Sequence, residues 1–373
     1  MSESEQRKEP FIVLSSGGTG GHMSPASALA SDLKSRGYRV GLATDQRGLK
    51  YKSMFEGIPI YVVNSGTAAR GITGKIKGAV YLIVGIVQAI GLLLRLKPDL
   101  VVGFGGYPSV PVVLVAQYMK IPTILHEQNA IIGKANDFLA SKAERIALSL
   151  PGTKGLDDNE KYRSVVTGNP VRPDVGALFT KPYPAFSQDG ELRILVMGGS
   201  LGASVFSDVI PKALAGLSAD HKKRLDIVQQ CRVEDLDQAR LVYEEAGIKA
   251  SLSTFIDDVA KALSDAHLVI ARSGASTVAE ITAAGRPAIF VPYPHHKDQQ
   301  QKMNADSVAD HGGAWVMTEP GFTQEALLAQ IEMFLQNPES LFRAAEKSRE
   351  VAKPDAARKL GNLVTAVVSG WKD

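Results

Sequence analysis

Short apolar runs recur along the chain, each ending at glycines or polar residues and each followed by a helical period. The first, Phe11-Ile12-Val13-Leu14, shows no polar alternation, the pattern of a parallel strand covered on both faces. It enters Ser15-Ser16-Gly17-Gly18-Thr19-Gly20-Gly21-His22, and helical spacing follows over about 24–36 until Gly37 stops it. Further strands are expected at 40–43, 60–63, 100–102, 123–125 and 146–148, with helical segments between most of them. Between 150 and 190 the periodicity breaks at Gly168-Asn169-Pro170-Val171-Arg172-Pro173 and Lys181-Pro182-Tyr183-Pro184, where proline favours extended connections. A second series then begins, with strands expected at 192–197, 226–228, 251–255, 268–271 and 288–291, and helix from about 321 onward.

The pattern therefore predicts an α/β protein of two Rossmann-like, doubly wound domains facing across a cleft. The first takes residues 1–169 and the second 170–352, with an amphipathic helix at about 353–373 packing back on the first. Residues 268–304 read as strand, glycine turn, helix, strand and polar loop. That unit sets helix-start amides, Glu280 and a glutamine cluster at the sheet edge where such folds bind ligands.

One segment departs from the alternation. Residues 78–94 are almost wholly apolar, interrupted by Gln88 and flanked by Lys75, Lys77, Arg95 and Lys97. As a helix this segment spans about 24 Å, short of the roughly 30 Å bilayer core. It reads as a crossover helix packed partly on the sheet, presenting Ile76, Val80 and Ile83 among lysines to a membrane surface.

Composition narrows the classes. At 373 residues and 45% hydrophobic content the chain can bury two ordinary cores. A single cysteine, Cys231, excludes a disulfide framework, and the polar first ten residues lack the core of a secretion signal, so a cytoplasmic location is expected. The net charge of +3 is uneven: residues 1–169 hold 20 Lys+Arg against 13 Asp+Glu, whereas residues 170–373 hold 22 against 26. The basic half suits an anionic partner, nucleic acid or membrane.

Three loops share the order strand, glycines, helix: 17–22, 103–106 and 198–203. Glycine lets backbone amides approach a ligand, and a helix start favours phosphate. Met23 stands where the dinucleotide fingerprint needs its last glycine, although Asp45 lies about where a ribose-binding acid would. No lysine follows these loops as in a phosphate-loop ATPase. His22 and the row His126-Glu127-Gln128-Asn129 fall at the same carboxyl edge and are candidates for proton transfer and hydroxyl recognition. Asp235-Leu236-Asp237 reads as a solvated face, and His295-His296 lacks a third ligand, so neither a metal nor a cofactor is expected.

Seven motifs in order resemble one family. They are Gly17 to His22, Gly105-Gly106-Tyr107, His126 to Asn129, Gly168 to Arg172, Gly198 to Ala203, Arg272 to Ala275 with Glu280, and Lys297-Asp298 with Gln300 to Asn304. The chain resembles the MurG family of bacterial peptidoglycan N-acetylglucosaminyltransferases (GT-B fold, glycosyltransferase family 28) over almost its full length. The resemblance implies transfer of N-acetylglucosamine from UDP-GlcNAc to lipid-linked muramoyl-pentapeptide at the cytoplasmic membrane face. It implies uracil at Ile256, ribose at Glu280, diphosphate at Ser200 and the helix start Ala275, Ser276, Thr277, Val278 and Ala279, and sugar hydroxyls at Gln300 and Gln301. Thr19, Gly20, Gly21, Asn129 and Arg172 would complete the donor site, and Gly18, Gly105, Gly106 and Tyr107 would take the acceptor diphosphate. His22 is the first candidate base and Glu127 the second. Gln299 departs from the family pattern. Competing readings are a GT-B enzyme with another acceptor, a nicotinamide-dependent oxidoreductase, and a non-catalytic nucleotide or polyanion binder.

Overall fold

The computed structural model describes residues 9–66, 72–199, 202–295 and 298–370. It forms two compact units, Met1–Pro170 with Asp355–Asp373, and Val171–Pro354.

The first unit is built on a seven-stranded parallel sheet of order β3-β2-β1-β4-β5-β6-β7. Its strands are β1 Phe11–Ser15, β2 Arg39–Thr44, β3 Ile60–Val62, β4 Leu100–Gly103, β5 Thr123–Glu127, β6 Arg145–Leu148 and β7 Ser164–Val166. The second unit repeats the order as β10-β9-β8-β11-β12-β13. These strands are β8 Leu192–Met197, β9 Leu225–Gln230, β10 Lys249–Ser253, β11 Leu268–Ala271, β12 Ala288–Phe290 and β13 Ala314–Val316. In both sheets the strand order reverses beside the first strand, at β1/β4 and β8/β11, so each unit has a crevice at its carboxyl edge.

The unbroken apolar runs are the central strands. Ile12, Val13 and Leu14 are fully buried, as are Val101, Val102, Val269 and Ile270. The last helix, Ala356–Val368, packs in the first unit against α1, Gly20–Ser35. Leu360 and Val364 join Leu29 and Leu33 in one core, each such buried side chain contributing about 1.5–3 kcal/mol. Arg36 clamps this contact by donating to Arg358 O at 2.9 Å and Asn362 Oδ1 at 2.8 Å.

Four details differ from the sequence reading. Helix α1 begins at Gly20, not near Ser24, so Gly20, Gly21 and His22 form its first turn with Thr19 as the extended cap. Strands β7 and β13 were not expected; both are three-residue edge strands, too short to show periodicity. Strand β10 ends at Ser253, leaving Ile256 in the following loop. Finally, the apolar segment belongs to a 25-residue helix, α2, Ile72–Leu96, about 37 Å long rather than 24 Å.

One stripe of α2 packs on the sheet: Ala89, Leu92 and Leu93 are buried in the unit's core. Gly85 permits this approach, since a Cβ there would fall 1.9 Å from Asn64 O. Gln88, the polar interruption, accepts from Asn64 N at 2.8 Å and so fastens the helix to the loop after β3. The opposite stripe, Ile76, Val80, Ile83, Val87, Ile90 and Leu94, lies exposed, with Ile83 at 61% and Val87 at 64%.

Candidate functional site

In the first unit the carboxyl ends of β1, β4 and β5 bring the sequence candidates together. Phe104 N donates to Ser15 O at 2.9 Å, joining the turns after β1 and β4. Gly18, Gly105 and Gly106 all take positive φ, which a side chain would strain. At Gly106 a Cβ would also sit 3.3 Å from His22 Cδ2 and 3.4 Å from Nε2. The half-buried His22 ring therefore lies flush against the second glycine turn. Thr19, Gly21 and Tyr107 are exposed around it, and Gly20 is half-buried.

Burial lowers the pKa of His22 from the ordinary imidazole value, against the opposing pull of the Glu127 carboxylate and of the hydrogen bonds the ring gives to the Gln128 side chain and the Phe104 backbone. The ring is neutral near pH 7. Its Nδ1 lies 3.1 Å from Gln128 Oε1. Fully buried His126 is pushed down to about 4, chiefly by burial.

Glu127 is placed differently. Its carboxylate is 1% exposed, and Oε1 accepts from Asn129 N at 2.9 Å and Asn129 Nδ2 at 3.1 Å. Oε2 accepts from Gly133 N at 2.9 Å and Asn136 Nδ2 at 2.8 Å. These four donors commit both oxygens to holding the loop after β5, which leaves Glu127 poorly disposed as the second candidate base. Asp45 is similarly committed: it binds Arg47 Nε at 2.7 Å and Gly48 N at 3.1 Å. Both contacts tie it into its own loop.

In the second unit the carboxyl edge carries the remaining candidates. Ile256 follows β10 and packs half-buried on the core, while Gly198 and Gly199 follow β8. Ser200 lies outside the described residues. Helix Ala275–Ala283 starts directly after the turn from β11, with Gly274 as its cap, so the amides of Ala275, Ser276 and Thr277 open toward the edge. Asn304 Nδ2 donates to Ser273 O at 3.2 Å, fixing this turn to helix Gln300–Ala309. Val278 is buried and Ala279 half-buried within the helix.

Glu280, 8% exposed, pairs through Oε1 with Arg172 Nε at 3.2 Å. Arg172 thus belongs to the second unit and sits on the candidate ribose carboxylate. Gln300 Nε2 donates to Asp298 Oδ2 at 2.6 Å, and Gln301 Oε1 accepts from Tyr293 N at 3.0 Å. Gln299, the departure from the family pattern, takes φ +50 as the cap of that helix.

Sequence reasoning missed several fixed contacts. Arg272 donates to Val291 O at 3.1 Å and pairs with Glu319, tying the ends of β11 and β12 to the loop after β13. Asn136 and the central placing of Gln128 also went unread, since neither spacing nor polarity distinguishes them from solvated loop residues.

Two parallel sheets that share the order 3-2-1-4-5-6, the first extended by β7, each with glycine turns and a helix start at its reversal point, give the two-domain GT-B architecture. Residues 12–148 match the glycosyltransferase family 28 N-terminal domain, and residues 193–360 match its C-terminal domain. The chain belongs to glycosyltransferase family 28. A relative from Rhodospirillum centenum is 49% identical over 353 residues, covering 95% of this chain and 93% of that protein. A second, from Rhodospirillum rubrum, is 46% identical over 95% of this chain and 91% of its own. Both are named UDP-N-acetylglucosamine–N-acetylmuramyl-(pentapeptide) pyrophosphoryl-undecaprenol N-acetylglucosamine transferase. The crystal structure of Acinetobacter baumannii MurG superposes with a TM-score of 0.75 at 31% identity, covering 95% of this chain and 99% of that one.

Proposed function

We propose that this chain transfers N-acetylglucosamine from UDP-GlcNAc to the 4-hydroxyl of a lipid-linked muramoyl-pentapeptide, with inversion at the anomeric carbon. The observation that carries this reading is the near full-length identity to relatives named for that reaction. The geometry of both units is consistent with it.

The acceptor hydroxyl attacks the anomeric carbon as UDP departs. His22 Nε2 takes the hydroxyl proton, a task suited to a neutral imidazole. The glycine turns at Gly18, Gly105 and Gly106, with Tyr107 beside them, receive the acceptor diphosphate, and Thr19, Gly20, Gly21 and Asn129 border the donor. In the second unit Ile256 meets the uracil and Glu280 accepts from the ribose hydroxyls, its carboxylate held in place by Arg172. Ser200 and the amides of Ala275 to Thr277 hold the diphosphate, whose charge grows as it leaves. Gln301, with its oxygen engaged by Tyr293 N, presents its amide N–H groups to the sugar, and Gln300 does so beside Asp298.

The exposed stripe of α2, with Lys77 at its start and Arg95 at its end, rests on the anionic cytoplasmic face of the membrane, where the lipid acceptor lies. Its other stripe is buried in the unit's core, which favours lying on the surface over crossing it.

A transfer assay with labelled UDP-GlcNAc separates the roles. His22→Ala lowers kcat at least about 100-fold with little change in donor KM. Glu280→Ala raises donor KM about 10–100-fold, as losing charge-assisted hydrogen bonds requires. Unchanged kcat in the first, or unchanged KM in the second, removes that assignment.

A further inference from the structure

We propose that Gln128 and His126 form a relay that fixes the tautomer of His22 and thereby aims a bare Nε2 at the second glycine turn. The chain of reasoning starts at a group that can only accept. Gly168 O lies 3.2 Å from His126 Nε2, so that nitrogen carries the ring proton. The neutral ring then has a bare Nδ1, which receives a hydrogen bond from Gln128 Nε2 at 3.0 Å.

The other Gln128 N–H donates to Phe104 O at 2.9 Å. With its amide nitrogen facing these two acceptors and His126 O at 3.2 Å, the side chain has one orientation, and Oε1 is turned to His22 Nδ1 at 3.1 Å. A carbonyl oxygen cannot donate, so His22 Nδ1 must hold the proton. A neutral imidazole has only one, and Nε2 keeps its lone pair beside Gly106.

His126 is 0% and Gln128 3% exposed, so water does not compete for these contacts. Burial keeps His126 neutral down to about pH 4, and the relay is not reset by protonation above that. Gln128 and His126 are positioning residues: neither faces the reacting atoms, and both act through His22. The residue types fit. A glutamine can accept at one end and donate at the other, whereas an apolar side chain of the same size would remove the Oε1 acceptor and leave only the Phe104 backbone to bias the His22 proton.

This inference rests on His22 as the base, and the two can be told apart. The full chain is labelled with nitrogen-15 histidine, and the ring-nitrogen shifts of its seven histidines separate protonated from bare nitrogens, His22 being assigned by its loss in His22→Ala. The relay predicts Nδ1–H, Nε2-bare His22 in the unmodified protein. It predicts loss of that preference in Gln128→Met, with kcat about three- to tenfold lower as fewer rings keep a bare Nε2, donor KM within about twofold and an unchanged melting profile for the second unit. An Nε2–H His22 in the unmodified protein overturns the relay, whatever becomes of the variant. So does unchanged kcat in Gln128→Met when His22→Ala is inactive. An Nδ1–H ring together with full turnover by His22→Ala leaves the relay standing and overturns the base.

Discussion

Replacing Glu127 by glutamine separates a scaffold from a base. The Glu127 carboxylate is 1% exposed and accepts from Asn129 N, Asn129 Nδ2, Gly133 N and Asn136 Nδ2. Glutamine keeps one accepting oxygen and turns its own N–H groups toward the other two donors. Two charge-assisted hydrogen bonds are lost, at roughly 1.5–3 kcal/mol each, so Glu127→Gln costs the first unit about 3–6 kcal/mol. For a unit of this size a kcal/mol is worth roughly 2–4 °C, and the melting transition should fall by about 6 °C or more. Scanning calorimetry reads that shift, and the transfer assay at a temperature where the variant is folded reads kcat. The scaffold account predicts a clear loss of stability with kcat reduced less than about tenfold. A base account predicts the reverse, an unchanged melt and a kcat lower by about 10²–10⁴. That second result would refute the reasoning.

Acid should weaken both units through one window. His126 in the first unit and His267 in the second are each held near 4 by burial, below the ordinary imidazole value of 6.5, so the unfolded chain binds more protons between those values. Stability is full above pH 6.5 and is lost as pH falls toward 4, by about 3 kcal/mol for His126 at 1.36 kcal/mol per pH unit. Urea midpoints at pH 7, 5.5 and 4.5 measure this, and a midpoint that does not move would contradict the burial of both rings. Gly106→Ala should cost about 1–3 kcal/mol from its positive φ and lower kcat at least about tenfold by displacing His22; a normal melt with normal kcat counts against the contact. Val87→Glu on the exposed stripe of α2 should weaken partition onto anionic vesicles about tenfold, read by co-sedimentation, and undiminished binding would remove α2 as the membrane face.

The architecture was legible because parallel strands buried on both faces read as unbroken apolar runs. Phe11 to Leu14 and Leu268 to Ala271 could be placed on pattern alone. Strands β7 and β13 could not: Ser164–Val166 is an edge strand with no buried residue, and Ala314–Val316 buries only its first. The start of α1 was misplaced because Gly20 and Gly21 are weak helix formers, held there by the turn geometry and by Ser16 Oγ bonding His22 O at 2.9 Å. Helix α2 was read as shorter because Ile72 to Lys77 mixes polar and apolar residues ahead of the hydrophobic run. At the candidate site the residue types were visible, but their commitments were not. Nothing in the row His126 to Asn129 distinguishes Glu127, with both oxygens occupied, from Gln128, which joins two imidazoles. The Gln128 partners come from α1, the turn after β4 and β5, and only the tertiary fold brings His22 and Phe104 within hydrogen-bond distance, while Glu127 is held by the loop and helix that follow β5.

The central claim meets its most direct test in one incubation: the purified chain with labelled UDP-GlcNAc and a lipid-linked muramoyl-pentapeptide acceptor. The account predicts acceptor-dependent formation of a labelled, lipid-linked disaccharide with a β linkage, released UDP in equal amount, and almost none of either with His22→Ala. Tight UDP binding without transfer to this acceptor, or transfer with retained α configuration, would contradict it.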